Sequence, residues 1–368
     1  MTQDVYVPTR EERVRQDFVL GLKLLANGAV QRRVRAEYRE RVLPQLTQEQ
    51  GAAPTERRQV APALLRTEAY RTWAVLTHHS QSMMWDAVER TTQRVLSSAE
   101  RRYAALRAQP EQRRGSLQLD STLAVPPPIG NTEIHRQPGG YTGRAEIEDV
   151  SPGLRYIGAS LIYGAGKGQE HATGDARANL LLYELRRRYP GFAPRRILDL
   201  GCGIGVHSQA IALAFPEAEY HGADVAAGLL RFAHLIAEER GIALHLHQRD
   251  AARTGFEDGS FDLVLSNIFF HETNSARLPQ ILRECRRVLR PGGVMLHIDV
   301  ATQTSRHGLD DQLMNDWQVR WNGEPFWSGF AERDMFEEIV AAGFAPDRSF
   351  AEHLNRPGGA SYVFGAVA

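Results

Sequence analysis

The sequence is poor in cysteine and lysine, has no surplus of either charge and no long apolar run, and each shortage closes a class of function. Two cysteines in 368 residues, Cys202 and Cys285, cannot build a disulfide framework, and neither sits in a CxxC or Cys/His cluster of zinc spacing. A reducing, cytoplasmic setting is expected. The 44 basic residues equal the 44 acidic ones, so no global field would hold the chain on nucleic acid or anionic lipid. Lys23 and Lys167 are its only lysines. Without an apolar stretch of about 18 residues there is no helix to cross a membrane. The amino-terminal MTQDVYVPTREERVRQ is too charged to read as a secretory signal. What is present, 42% hydrophobic and 24% charged residues, is the composition of a folded globular chain long enough for two domains.

Residues 1–118 read as a helical domain. Ala69, Trp73, Leu76, Met83, Ala87, Thr91, Val95, Ala99, Tyr103 and Leu106 recur at helical steps in a stretch free of Gly and Pro from Arg66 to Gln109. That pattern predicts one long helix, or two broken near His78-His79. A water-exposed stripe of this kind would be adhesive, so it should cover the rest of the chain or, preferably, pair with a second copy as a homodimer. Residues 1–115 carry 20 basic and 13 acidic residues, spread through helical faces instead of massed into a nucleic-acid stripe. Residues 119–153, with Pro126-Pro127-Pro128, Pro138-Gly139-Gly140 and Pro152-Gly153, read as a linker or loop-rich cover. In residues 154–368 short apolar runs alternate with helical stretches: RRILDL, AEYHGAD, ALHLHQRD, FDLVLSN and GVMLHIDV. Such alternation predicts an α/β domain with a mostly parallel sheet and helices on both faces.

Directly after the first of these strands comes Asp199-Leu200-Gly201-Cys202-Gly203-Ile204-Gly205, followed by an apolar helix. Glycines at a strand-to-helix turn allow positive φ and close approach of a ligand. The Gly-Lys-Ser/Thr of a phosphate-binding loop is absent, which leaves a dinucleotide site or an S-adenosylmethionine site. The G-x-G-x-G spacing and the acid two residues ahead of it depart from the dinucleotide fingerprint, since a carboxylate there repels a pyrophosphate and suits an ammonium group. Asp224, at the end of the second strand, would bind ribose hydroxyls in either case.

Five ordered motifs resemble the class I S-adenosylmethionine-dependent methyltransferases: ILDLGCGIG (197–205), HGADVAAGLL (221–230), QRDAARTGFEDGSFDLVLSN (248–267), VLRPGGVMLHID (288–299) and AAGF (341–344). The resemblance spans roughly residues 175–368 and implies a Rossmann-like, mostly parallel seven-stranded sheet and S-adenosyl-L-methionine as cofactor. It implies that Asp199, Gly201, Gly203 and Gly205 line the methionine end and that Asp224 holds the ribose. Asp250 and the Ala251 backbone would hold the adenine, with Ser266 and Asn267 where cofactor and acceptor meet.

For the acceptor the expectation is a small molecule methylated on O, N or C. His271, just beyond the fourth strand, is the candidate general base, and Glu272 a candidate partner for a cationic amine. SNIF at 266–269 lacks the two prolines that family members methylating nucleobase amines carry here, which disfavours nucleic acid. Ser266 is not the acid that the family's metal-dependent members need, so no metal is expected. Trp317, Trp321, Phe326, Trp327 and Phe330 crowd the connection after the fifth strand, as pocket wall or as lid core, and Tyr156 and Tyr163 are similarly cover or core. A protein or peptide acceptor, and a cofactor-binding scaffold without turnover, are the alternatives.

Overall fold

A computed structural model describes residues 5–127, 129–142, 149–166, 174–302, 308–356 and 359–368. Its amino-terminal helices are α1 (Arg10–Leu25), α2 (Gln31–Glu37), α3 (Leu43–Gln50), α4 (Arg57–Leu64) and α5 (Glu68–Arg107). Thr9 starts α1 in a capping box with Glu12, and the Thr67 hydroxyl caps α5 by accepting from the Tyr70 N–H. Free of Gly and Pro, α5 runs unbroken through His78-His79 for 40 residues. Next come β1 (Ser116–Gln118), α6 (Ser151–Gly166), α7 (Gly174–Arg188), β2 (Arg196–Leu200), α8 (Val206–Ala214), β3 (Glu219–Asp224), α9 (Ala227–Glu239), β4 (His245–Gln248) and β5 (Phe261–Asn267). The chain closes with α10 (Leu278–Val288), β6 (Leu289–Asp299), α11 (Leu309–Trp317), α12 (Trp327–Ala331), α13 (Met335–Ala341), β7 (Ser349–Arg356) and β8 (Gly359–Val367).

The strands form one sheet in the order β1-β4-β3-β2-β5-β6-β8-β7, parallel as far as β6 and antiparallel for β8 and β7. Among the described residues it has eight strands, not seven. The extra one, β1, is three residues from the edge of the expected linker, too short to show alternation, and it adds beside β4. Two apolar layers clothe the sheet: Leu198, Val264 and Met295 face α10 and α13, whereas Ile197, Leu263 and Leu296 face α7 and α8. Successive residues thus point to opposite faces, as pleating requires. Strand order reverses at β2, between β3 and β5, and the crevice at the carboxyl ends there is where ligands of open α/β sheets bind.

The stripe on α5 is satisfied within the chain. Met84, Trp85, Val88, Ala99 and Tyr103 share a core with Leu154 and Ile157 of α6 and with Leu229, Phe232 and Ile236 of α9. Lower down, Tyr70 and Trp73 meet Leu313, Met314 and Trp317 of α11, the rings of Trp73 and Trp317 lying 5.2 Å apart. The ground for expecting a two-chain contact through α5 is thereby removed. Its basic surplus also has a partner. Arg35 reaches Asp311 at 2.5 Å, Arg57 reaches Asp316 at 2.9 Å, and Arg102 reaches Glu239 at 2.7 Å. Since the whole chain is neutral, the surplus of residues 1–115 is matched by acids beyond them. Among the described residues no helix is long and apolar enough to cross a membrane.

Candidate active site

At the crevice the structure encloses a cavity of about 1200 Å³. Its floor is the turn after β2. Gly201, Gly203 and Gly205 have φ of +68°, +54° and +69°, a region costly for any residue with a Cβ. A Cβ on Gly203 would meet nothing within 4 Å, so this turn opens onto space a ligand can fill. Gly201 is held from behind by Phe269, and Gly205 faces Ala233 of α9 and Leu244, so its smallness serves helix packing instead of the cavity wall. Asp224 accepts from the Gly203 N–H at 2.9 Å and the Ala226 N–H at 2.9 Å. Burial raises its pKa, partly offset by these bonds. Asp250 pairs with Arg277, and the two line the same wall as Ala251.

Besides Gly205, two expected wall residues lie behind it. Asp199, fully buried, holds the Ser208 hydroxyl at 2.6 Å, the Tyr220 hydroxyl at 2.9 Å and His207 Nε2 at 2.9 Å, bracing the start of α8 against β3. His207 is what meets the cavity there. Ser266 points away and bonds His297 Nδ1 at 2.7 Å, while its neighbour Asn267 lines the cavity with a buried Oδ1 that lacks a partner. The alternation along β5 explains the split. Asn267 Oδ1, the open space above Gly203 and the Asp224 carboxylate are the features a polar, ribose-bearing cofactor needs, so the residues fit S-adenosylmethionine.

The acceptor side is built by residues distant in sequence. Ile268, β-branched yet at φ +56°, turns the chain from β5 towards His271 and Glu272. His271 is buried, its Nδ1 2.6 Å from Asp299 Oδ1 and its Nε2 3.5 Å from Glu272 Oε1. Burial alone would lower its pKa, but Asp299 and Glu272 outweigh it and raise the ring to about 10. The two carboxylates thus favour the protonated ring, the form that does not accept a proton. Over these groups lies a strap of residues 129–142 that carries His135, Gln137 and Tyr141 into the cavity. His135 has φ +55°, and its backbone is pinned on both sides. Its N–H donates to Gly323 O at 2.6 Å, and its carbonyl accepts from Trp85 Nε1 at 2.7 Å and Gln81 Nε2 at 2.9 Å. The helical segment therefore builds part of the site.

The aromatic connection divides between the two expected roles. Trp327 lines the cavity with its ring 5.2 Å from His271, Phe330 packs in the core with Phe270, and Trp321 donates to the Tyr70 hydroxyl at 3.3 Å. Tyr156 lines the cavity, whereas the Tyr163 side chain lies outside the described residues. His135, Glu324 and Tyr141 carry no local motif that could have announced them.

Residues 197–293 match a family described as a methyltransferase domain. The malonyl-[acyl-carrier protein] O-methyltransferase of Methylococcus capsulatus is 36% identical over 171 residues, 46% of this chain and 58% of that protein. The demethylmenaquinone methyltransferase of Thermus thermophilus is 39% identical over 107 residues, 29% of this chain and 48% of that protein. The chain thus spans about half the length of these curated relatives. A solved phosphoethanolamine N-methyltransferase 2 of Haemonchus contortus, in complex with S-adenosyl-L-methionine, shares 18% identity over 51% of this chain and 52% of that one, with a TM-score of 0.41. Residues 197–293, which hold the glycine turn and the strand-end acids Asp224 and Asp250, are thus similar to a methyltransferase domain.

Proposed function

We propose that the chain is a methyltransferase that moves the methyl group of S-adenosylmethionine to a small molecule held beneath the strap. The observation that carries this reading is one cavity shared by the Gly203 turn, Asp224 and Asn267 on one side and by Glu272, Glu324 and Trp327 on the other. The cofactor supplies a sulfonium methyl already activated for in-line displacement. The chain's own contribution is placement, which is worth on the order of 7–11 kcal/mol at best. Asp224 and Asp250 hold the cofactor's ribose and base, Asn267 orients groups at the junction, and the strap with Trp327 keeps bulk water from the reacting atoms. His271, held as a cation between Asp299 and Glu272, fixes the Glu272 carboxylate in place and takes no proton from the acceptor. The roof of strap and lid supports a metabolite over a protein or peptide chain. Two free, buried cysteines, Cys202 and Cys285, support a cytoplasmic setting. Incubation of the full chain with methyl-labelled cofactor and a cell extract tests the proposal. Label in a small metabolite is expected, label in macromolecules would transfer the reading to a protein acceptor, and cofactor binding without any labelled product would leave a scaffold.

A further inference from the structure

On the acceptor side of the cavity three carboxylates alternate with two imidazoles. Glu324 Oε1 lies 2.9 Å from His135 Nδ1, and His135 Nε2 lies 2.9 Å from Glu272 Oε1. Glu272 Oε1 is then 3.5 Å from His271 Nε2, and His271 Nδ1 is 2.6 Å from Asp299 Oδ1. Each ring has a carboxylate at both nitrogens, so both rings are held as imidazolium ions. Within this array, counted over the described residues, three negative charges stand against two positive ones.

Asp299 is covered, because its carboxylate also accepts from the Phe269, Phe270 and Val300 N–H groups at 3.0, 2.7 and 2.7 Å. Glu272 also accepts from the Tyr141 hydroxyl at 3.2 Å through Oε1, but the second oxygen, Oε2, of both Glu272 and Glu324 is buried without a hydrogen-bond partner among the described residues, and Glu324 is only 2% exposed. A buried carboxylate oxygen with neither proton donor nor counter-charge is costly, and a surplus of negative charge makes it more so. The strained backbone of His135, pinned by Gln81, Trp85 and Gly323, holds one end of the array against that cost. Around the array Tyr141, Tyr156, Trp85 and Trp327 line the same cavity, and the Tyr141 ring lies 6.2 Å from that of Tyr156. Aromatic faces beside these carboxylates suit a cation with an organic skin. His135, Glu272 and Glu324 also lie close enough to hold a metal ion. A metal would need one ring nitrogen of His135 freed of its proton and turned from a carboxylate, so the geometry favours the organic cation.

We infer that the acceptor carries an ammonium group, free or alkylated, whose charge is balanced by the Glu272 and Glu324 carboxylates beside the aromatic rings. This inference rests on the methyltransferase reading above and names the chemical class of the acceptor. The ammonium is a handle: a different atom of the acceptor receives the methyl, and S-adenosylhomocysteine leaves.

Calorimetry on the full chain, saturated with S-adenosylhomocysteine and freed of metal by chelation, tests it. The probes are tetramethylammonium, choline and benzyltrimethylammonium, with 3,3-dimethylbutanol as the neutral counterpart of choline. At least one ammonium is expected to bind, choline at least about tenfold more tightly than its neutral counterpart if it is the one. Glu324→Gln and, separately, Glu272→Gln should weaken the ammonium at least about tenfold. S-adenosylhomocysteine affinity on the same variants, unchanged within about twofold, shows that each is folded and that the cofactor side is intact. Equal binding of choline and 3,3-dimethylbutanol, no ammonium binding at all, or full ammonium affinity in both Gln variants overturns the inference. So does tight binding of zinc or manganese that needs His135, Glu272 and Glu324 while no ammonium competes. Loss of S-adenosylhomocysteine binding by the unaltered chain would instead sink the methyltransferase reading itself.

Discussion

At the scale of single residues the site separates into groups a local pattern announces and groups only the fold assembles. Gly203 and Asp224 were legible because strand, turn and helix are consecutive, and the turn needs glycine. Asp224→Ala removes the carboxylate proposed to hold the ribose, so S-adenosylmethionine affinity should fall at least about tenfold by calorimetry, a lost charged hydrogen bond costing about 1.5–3 kcal/mol. Asp199→Ala is expected to act differently. Its carboxylate, behind the cavity wall, braces Ser208, Tyr220 and His207, so the melting temperature should drop together with cofactor affinity. Weaker binding at an unchanged melting temperature would return Asp199 to the cavity wall. His271 was legible in position and not in protonation, because the acid that decides it, Asp299, stands 28 residues away at the end of β6. Burial lowers the His271 pKa and its two carboxylates raise it to about 10. The stability this contributes is complete below about pH 6.5, where the unfolded ring is also protonated, and is lost as pH rises through about 10. The ring protons of His271 should show no titration between pH 6 and 8 by NMR, and a midpoint near 7 would restore it as a base.

Single elements show where a sequence pattern suffices and where it fails. The five central strands and the unbroken α5 follow from apolar alternation and from the absence of Gly and Pro, signals strong over four or more residues. Strand β1 escaped because three residues carry no period, and the strap escaped because its proline and glycine content marks a loop without saying what it covers. Histidines on β3, β4 and β6 went unremarked for a different reason: they look like ordinary strand residues. His221 and His247 stack 5.3 Å apart, and burial, their largest influence, lowers both to about 4. His297, enclosed beside Phe270 and Phe364, is lowered by burial to about 3. These rings stay neutral in the folded chain while the unfolded chain takes protons near pH 6.5. Stability should therefore fall as pH drops from about 6.5 towards 4, by up to about 1.4 kcal/mol per pH unit for each fully shifted ring. Urea midpoints from pH 7 to 4.5 measure the slope, and His297→Gln should flatten it. An unchanged slope in that variant would mean that carboxylates alone govern the acid limb.

For the whole molecule the amino-terminal helices share a core with the helices that cover the sheet. They supply Gln81 and Trp85 to the strap and cover apolar residues of α6 and α9 such as Leu154, Leu229 and Phe232. Deleting residues 1–115 should expose that face, and the product is expected to aggregate at micromolar concentration and to lose methyl transfer. A soluble, active 116–368 fragment would contradict the shared core. The partnership was not legible because neither half of an interface betrays its complement: the α5 stripe and the balance of charge predicted that something is covered, not what. The strap has a consequence for how such a chain changes through descent. It is tethered at Gln118 by β1 and at Val150 ahead of α6, so its two ends are fixed by the sheet and by the helical core whatever lies between them. Lengthening or rewriting a loop with fixed ends costs little, about 0.6 kcal/mol for each doubling of its length. The roof over the acceptor can thus be exchanged by insertion and recombination while the cofactor floor, three strands from β1 in the same sheet, stays as it is. New acceptor preferences are open to this architecture without a new fold.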